Sequence, residues 1–446
     1  MSRSVLPVLV AGLLGPLLAG CAGSGGAATS AAMAQTAPQP PALAAAPQPA
    51  PPPVPRPVPA AAALPAEPLI ADFGQCAARL RERAAASGVP QPVVQQAFAD
   101  LRPNPRVIEL DRRQPEFVQT FWQYFDARIS PARVERGRAM LAQHRPLLEA
   151  IEGRWGVPAR YLVAFWGLES NFGDTMGGFP VVQSLATLAC EGRRAAFFEG
   201  ELINALRVAA SGDAPLSRMQ GSWAGAMGQP QFMPSTFLRH AVDGDGDGRR
   251  DIWASVPDAL ASAANFLREI GWRPGEEWGQ EVLLPPGFDY RQAALPVERP
   301  VGEWRALGVR SADGRPLAPD ARLASVLVPG GWRGPAFLVY PNFRAILNWN
   351  RSINYAIAVG HLADRLAGAG PLVAQRPADD APLSRGDVVE IQTRLAAMGE
   401  DAGEPDGIVG SRTREAIRGF QARLGLPADG YPDQTLLWEL RRVMGS

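Results

Sequence analysis

The 446-residue chain contains no lysine: all 44 of its basic residues are arginine, and 44 acidic residues balance them. A net charge of zero leaves no concentrated basic surface of the kind nucleic acid requires, so nucleic acid is not expected as a partner. Histidine is scarce, at three, and His144, His240 and His361 lack the spacing of a metal site. No Gly-rich phosphate loop and no Ser-His-Asp arrangement stands out. Long apolar runs are missing too, since the one from Val5 to Ala19 is too short to span a bilayer. Cysteine is limited to Cys21, Cys76 and Cys190. What remains is ordinary for soluble globular protein, 46% hydrophobic and 20% charged, and long enough for two folded units with linkers.

Arg3 followed by the Val5–Ala19 run reads as a secretory signal core. The run ends in Leu18-Ala19-Gly20-Cys21, which resembles the bacterial lipoprotein processing site. That resemblance implies lipidation of Cys21 and a periplasmic protein held by acyl chains, with the outer membrane as the expected anchor. An ordinary signal peptide cut after a small residue is the alternative. With Cys21 lipidated, Cys76 and Cys190 remain as an even pair, and a disulfide and two separate thiols both stay open.

Composition divides the chain into five segments: a signal peptide at 1–20, an Ala/Pro-rich tether at 21–68, a long folded region at 69–366, a linker at 367–382 and a C-terminal unit at 383–446. The tether lacks apolar periodicity and at polyproline pitch extends to about 140 Å. Helices are expected over Cys76–Ser87, Gln91–Asp100, Pro115–Ile129, Pro131–Glu152, Ala159–Leu168 and Ser352–Leu366. Short β-prone runs at Val282–Leu284, Val326–Val328 and Phe337–Val339 lie between Pro/Gly clusters. The fold class is therefore mainly α with a small β insertion.

Within Ala159–Leu168, Leu162, Phe165 and Trp166 recur at helical spacing, and Glu169 falls on the same face. A carboxyl ending an aromatic stripe is desolvated and holds its proton, as a general acid at neutral pH must. A solvated glutamate closing a core helix would show the same pattern. Glu169-Ser170-Asn171-Phe172-Gly173 is followed by a block from Gly221 to Ser235, rich in small residues and neutral amides. Together they resemble the Glu-Ser and Gly-Ser-x-Ala-Gly-Ala-Met-Gly-x-x-Gln-Phe-Met-Pro-Ser blocks of the lytic murein transglycosylase B family, whose fold is lysozyme-like. The likeness extends from Trp122 and Tyr124 to Tyr340-Pro341-Asn342-Phe343 and Trp349-Asn350-Arg351-Ser352.

The resemblance implies Glu169 as the lone acid/base, with Tyr124, Ser222, Gln229, Gln231, Phe266, Trp349, Asn350 and Tyr355 toward the substrate. Phe266 and Trp349 stand where the family has tyrosines, so a hydroxyl is lost at each. It implies β-1,4 cleavage of peptidoglycan between N-acetylmuramic acid and N-acetylglucosamine, leaving 1,6-anhydromuramyl ends. Glycosidases that use water need two carboxylates, and Asp174 lies nearby along the chain. Hydrolysis therefore stays open, as does a non-catalytic lipoprotein that tethers membrane to wall. No cofactor is assigned to catalysis.

Asp243, Asp245 and Asp247 occupy positions 1, 3 and 5 of a calcium-loop pattern, with Gly248 at position 6 and Ala254 where a glutamate is usual. Asp258 completes the shell in the resembling family, and Arg249 offers its backbone carbonyl. Structural Ca²⁺ is expected, although an Asp/Gly turn without metal has the same spacing. At the C-terminus, Asp406-Gly407 and Asp429-Gly430, each set among apolar positions at helical spacing, resemble a three-helix peptidoglycan-binding domain.

Overall fold

The computed structural model describes residues 72–112 and 119–445. The signal peptide, Cys21 and the tether lie outside the described residues. Among those described, no helix is long and apolar enough to cross a membrane.

Among the described residues, seven helices come first: α1 (Phe73–Ala86), α2 (Gln91–Phe98), α3 (Pro105–Arg112), α4 (Phe121–Arg128), α5 (Pro131–Gln143), α6 (Arg145–Trp155) and α7 (Ala159–Ser170). The single helix expected over Pro131–Glu152 is two. Pro146 has no backbone donor with which to continue the hydrogen-bond ladder of α5, so the chain breaks at His144 and restarts with the proline in the first turn of α6, where no donor is needed. Of the helix expected over Pro115–Ile129, residues 115–118 lie outside the described residues, and the remainder holds α4, which begins with a full capping box at Thr120 and Gln123.

A short pair follows, β1 (Phe179–Pro180) with β2 (Gln220–Gly221), enclosing α8 (Val181–Glu191) and α9 (Ala195–Ala210). Then come α10 (Pro234–His240) and α11 (Val256–Glu269). The β insertion comprises β3 (Gly279–Leu283), β4 (Arg299–Pro300), α12 (Val301–Ala306), β5 (Arg310–Ser311), β6 (Leu323–Leu327) and β7 (Ala336–Val339). Its strands pair antiparallel in the order β4-β6-β7-β3-β5. Trp304, fully buried, anchors its core and donates through Nε1 to the Ala324 carbonyl at 2.9 Å. The chain returns to helix in α13 (Pro341–Trp349) and α14 (Ile353–Leu366), and ends in α15 (Arg385–Ala397), α16 (Ser411–Arg423) and α17 (Gln434–Met444).

Two apolar cores matter for the site. One gathers α4–α7, α11, α13 and α14; the other gathers α1, α3 and α8–α10. A disulfide joins Cys76 on α1 to Cys190 on α8 within the second. The 367–382 segment is strapped down, since Val373 and Ala374 donate their backbone amides to the Glu281 carboxylate, each at 2.8 Å.

The C-terminal module explains its own repeat. Gln392 on α15 donates to Asp406 Oδ1 (3.1 Å) and accepts from the Gly407 amide (2.9 Å). Gln421 on α16 does the same with Asp429 Oδ1 (2.6 Å) and Gly430 (2.9 Å). Each Asp-Gly turn is clasped by a buried glutamine from the preceding helix. The glycines have positive φ, 77° and 71°, which other residues adopt only with strain.

Candidate active site

Helix α7 is apolar almost all round, with every residue from Tyr161 to Gly167 buried, so it runs through the core and stops at its edge. Three successive residues with positive φ, Asn171 (51°), Phe172 (61°) and Gly173 (87°), turn the chain sharply. Ser170 fixes that turn, donating to the Trp166 carbonyl and accepting from the Gly173 amide at 3.0 Å. A phenylalanine in this conformation costs about 1–3 kcal/mol. Its ring is held where a Cβ on Gly167 would collide with it, at 2.7 Å. The strain sits two to three residues from Glu169, which the turn leaves at the seam of the two cores.

The Glu169 carboxyl receives two donors on one oxygen. Trp349 Nε1 donates to Oε1 at 2.8 Å, and the Tyr355 hydroxyl donates to the same atom. With Oε1 accepting twice, Oε2 is the oxygen left to carry a proton outward. Burial raises the carboxyl from the ordinary 4.5 up to about 7, against the downward pull of Tyr355, Trp349 and the Arg128 charge. Burial and the Glu169 charge push the Tyr355 phenol well above its usual range, so it stays a donor. The hydroxyl expected to be lost at Trp349 is thus replaced by an indole N–H, and hydrogen bonding at this position is kept. Phe266 does lack a donor; its ring packs on Trp349 (5.1 Å between centroids), Phe232 (5.3 Å) and His240 (4.7 Å). Phe165, one turn before Glu169, lies 4.5 Å from the Trp349 ring.

Arg128 was not evident from the sequence. It stands one turn after Tyr124 on α4, with its guanidinium 5.1 Å from the Tyr124 ring, and is the charged group acting on Glu169. An i,i+4 aromatic–arginine pair was the available signal. Asp174 is engaged elsewhere, its exposed carboxylate ion-paired with Arg136.

The 221–233 loop forms the facing wall. Ser222 Oγ accepts from the Ala226 amide (3.0 Å), and Ser222 N donates to the Ala226 carbonyl (2.8 Å), closing the Gly-Ser-Trp-Ala-Gly-Ala turn. A Cβ on Gly221 would lie 2.1 Å from the Ala226 carbonyl, so only glycine fits there. Gln229 is buried and its amide is used internally, accepting from Trp166 Nε1 (2.8 Å) and donating to the Trp253 carbonyl (3.1 Å). It braces the wall rather than offering a free amide to a sugar, contrary to its expected role. Gln231, at φ 51°, is half-buried and donates to the carbonyls of Met176 (3.0 Å) and Gly228 (2.7 Å). Asn350 is exposed and accepts from the Ser352 amide at 3.1 Å.

Carboxylate oxygens of Asp243, Asp245 and Asp258 lie within 4.8 Å of one another. An all-oxygen set of this size fits a hard divalent cation. Asp258, buried at the start of α11, accepts from the amides of Gly244 (2.8 Å) and Asp251 (2.6 Å), pinning both ends of the loop. Asp247 stands outside the group: its carboxylate turns to the Arg249 amide at 2.8 Å, because the short Asx turn claims it first. Arg249 meets the loop through that amide.

Comparison with known proteins matches residues 72–364 to the transglycosylase SLT domain and residues 384–438 to a peptidoglycan binding domain. The chain is 33% identical over 246 residues to membrane-bound lytic murein transglycosylase B of Escherichia coli (strain K12), covering 54% of this chain and 65% of that protein's length. It resembles the crystal structure of Pseudomonas aeruginosa SltB3 in complex with NAG-anhNAM-pentapeptide, with TM-score 0.80 and 50% identity over 83% of this chain and 99% of that one. It also resembles Escherichia coli Slt35 in complex with calcium, with TM-score 0.56 and 29% identity over 66% of this chain and 92% of that one. The helical domain that holds Glu169 is lysozyme-like and the last three helices form a peptidoglycan-binding domain, so the chain belongs to the transglycosylase SLT domain family.

Proposed function

We propose that the protein is a lytic transglycosylase that cleaves the β-1,4 bond between N-acetylmuramic acid and N-acetylglucosamine in peptidoglycan. The observation that carries this reading is one carboxyl, raised to about 7, with both donors on one oxygen and no second carboxylate acting on it among the described residues. Glu169 gives its proton from Oε2 to the glycosidic oxygen, and the C1–O4 bond breaks. The oxocarbenium-like centre at C1 is then attacked by the muramyl O6, whose proton returns to Glu169. A 1,6-anhydromuramyl end forms and no water is consumed.

Tyr124, Phe266 and Trp349 supply aromatic surface for the sugars, and Ser222, Gln231 and Asn350 neutral polar groups. Tyr355 holds the carboxyl from behind. The SLT match and the relatives named as lytic transglycosylases support the reading. Asp243, Asp245 and Asp258 would hold Ca²⁺, in keeping with the relative solved with calcium. The ion would brace the loop that follows the active-site wall and supplies no chemistry. The C-terminal module would keep the enzyme on the wall, and lipidation at Cys21 would anchor it in the periplasm, to the outer membrane.

The test is mass spectrometry of soluble fragments released from purified sacculi. Anhydromuramyl ends, one water lighter than reducing ends, are expected. Reducing ends would make the protein a muramidase. Sedimentation with sacculi without any release would make it a tether.

A further inference from the structure

Helix α10 starts without a cap of its own. Its N-cap position is Met233, whose side chain accepts no hydrogen bond, and Pro234 follows in the first turn. The cap comes instead from α9, through Glu201, which is 5% exposed and lies 34 residues before Ser235. One carboxylate oxygen accepts from the Ser235 amide at 2.9 Å and the other from the Ser235 hydroxyl at 2.6 Å. No arginine pairs with Glu201 among the described residues, so these two bonds are what offset its burial. The backbone dipoles of a helix start add to them, since they favour a negative charge there. A serine or aspartate at 233 would satisfy the same amide locally. It would leave α10 untied, whereas Glu201 fastens α10 to α9.

The tied helix reaches the catalytic carboxyl through aromatic rings. Phe232, just ahead of α10, is buried and lies 5.5 Å from the Trp349 ring and 5.3 Å from Phe266. His240, the last residue of α10, lies 4.7 Å from the same Phe266 ring. Phe266 in turn lies 5.1 Å from Trp349. The rings that back Trp349 are thus held at both ends of α10, and the Trp349 indole donates to Glu169 Oε1 at 2.8 Å. Ring packing sets the aim of that donor.

We infer that Glu201 is a positioning residue of the active site: by tying α10 to α9 it holds Phe232 and Phe266 so that the Trp349 indole stays on Glu169. The inference rests on the proposed role of Glu169 and adds a residue that supports it from a distance. Glu201 acts through Ser235, Phe232 and Trp349 in turn. Loosening the tie withdraws Trp349 first, because Tyr355 is fixed separately in the first turn of α14, where Ser352 accepts from its amide at 3.2 Å. Oε1 then keeps a single donor. The carboxylate is less favoured while the carboxyl stays buried, so Glu169 holds its proton to higher pH.

The test compares variants of the full chain. Glu201→Ala removes both bonds. Glu201→Gln keeps them, since its amide oxygen accepts from the Ser235 amide and its N–H donates to the Ser235 hydroxyl. Cys190→Ser loosens the same core elsewhere, at the bridge to α1. On soluble glycan chains, Glu201→Ala is expected to lower kcat about tenfold with KM little changed, and to move the falling limb of kcat/KM to higher pH. Glu201→Gln should keep the parent's limb, and so should Cys190→Ser although its Tm falls. A limb that stays in place in Glu201→Ala, with only Tm lowered, would make Glu201 an ordinary cap and overturn the inference. So would a Glu201→Gln limb displaced as far as that of Glu201→Ala. If Glu201→Ala does not fold, Ser235→Ala, which deletes the hydroxyl bond alone, should move the limb the same way by less; an unmoved limb there overturns the inference as well. Carbon NMR of the Glu169 carboxyl, assigned by its loss in Glu169→Gln, repeats the comparison without turnover. Failure of the cleavage reading shows up separately, as absence of fragments from sacculi treated with the unmodified enzyme.

Discussion

At Glu169 opposing influences nearly balance, and each has a named source. Burial favours the neutral acid, while the Tyr355 hydroxyl, the Trp349 indole and the Arg128 charge favour the carboxylate. The balance at about 7 fixes the pH dependence. A first proton transfer needs the protonated form, so kcat/KM is expected to fall as pH rises through about 7. Tyr355→Phe removes one of the groups favouring the carboxylate and should move that falling limb to higher pH; a limb that stays put would dissociate Tyr355 from the carboxyl. Stability should respond in the same window. A carboxyl whose folded value lies above its unfolded value keeps its proton longer in the native state, so native stability is lost as pH rises from 4.5 to about 7. Glu169→Gln cannot ionise. Besides lowering cleavage by about 10²–10⁴-fold, it should become progressively more stable than the parent across that window, by up to roughly 3 kcal/mol above it. Parallel melting curves at every pH would contradict the burial of this group. The carboxyl itself was legible in the sequence, because a single helix puts Glu169 on the aromatic stripe. Its donors were not, since Trp349 and Tyr355 lie 180 and 186 residues away and only tertiary packing brings them together.

At the scale of elements, two local constraints hold the wall opposite Glu169. The first is the acidic loop before α11. Asp258 reaches both ends of it and Ser255 bridges to Asp245 at 2.8 Å while capping α11, so a cation there would lock loop and helix together. At a hundredfold excess over its Kd, Ca²⁺ is expected to add about 2.7 kcal/mol. Chelator should lower Tm, and Asp243→Asn with Asp245→Asn should abolish the response to added calcium. An unchanged melting curve would mean that no ion braces this loop. The second constraint is the Cys76–Cys190 bridge, which closes a loop of 114 residues between α1 and α8. Cys190→Ser should cost about 2–4 kcal/mol in denaturant unfolding, with no change in the pH limb of cleavage. The sequence showed the acidic spacing and the even cysteine pair, but it could not show that Asp247 is claimed by its own turn, nor that the cysteines meet. Both outcomes depend on where backbone amides and helices end up in space. The break at His144 was legible in principle, since Pro146 stands in the middle of an otherwise continuous pattern.

At the scale of the whole molecule, the paired Asp-Gly turns show how a repeated unit acquires a second use. Asp406 and Asp429 do the same work inside the module, each receiving a glutamine amide and an amide two residues on. Asp429 alone also reaches outside it, accepting from the Trp332 amide of the loop between β6 and β7. Gly331, at φ 72°, lets that loop approach closely, where a Cβ would lie 2.9 Å from the Asp429 carboxylate. The repeat was visible in the sequence, and the docking was not, because equivalent turns carry identical residues. The two aspartates therefore form their own control. Asp406→Ala should loosen the module by about 1–3 kcal/mol through its lost clasp. Asp429→Ala should lose a comparable amount and, in addition, free the module from the β insertion, so that limited proteolysis cuts faster between 367 and 382. Equal proteolysis of the two variants would mean that the Trp332 contact does not hold the domains together. The acceleration, if confined to Asp429→Ala, would establish that one turn of the repeat holds the module against the loop between β6 and β7.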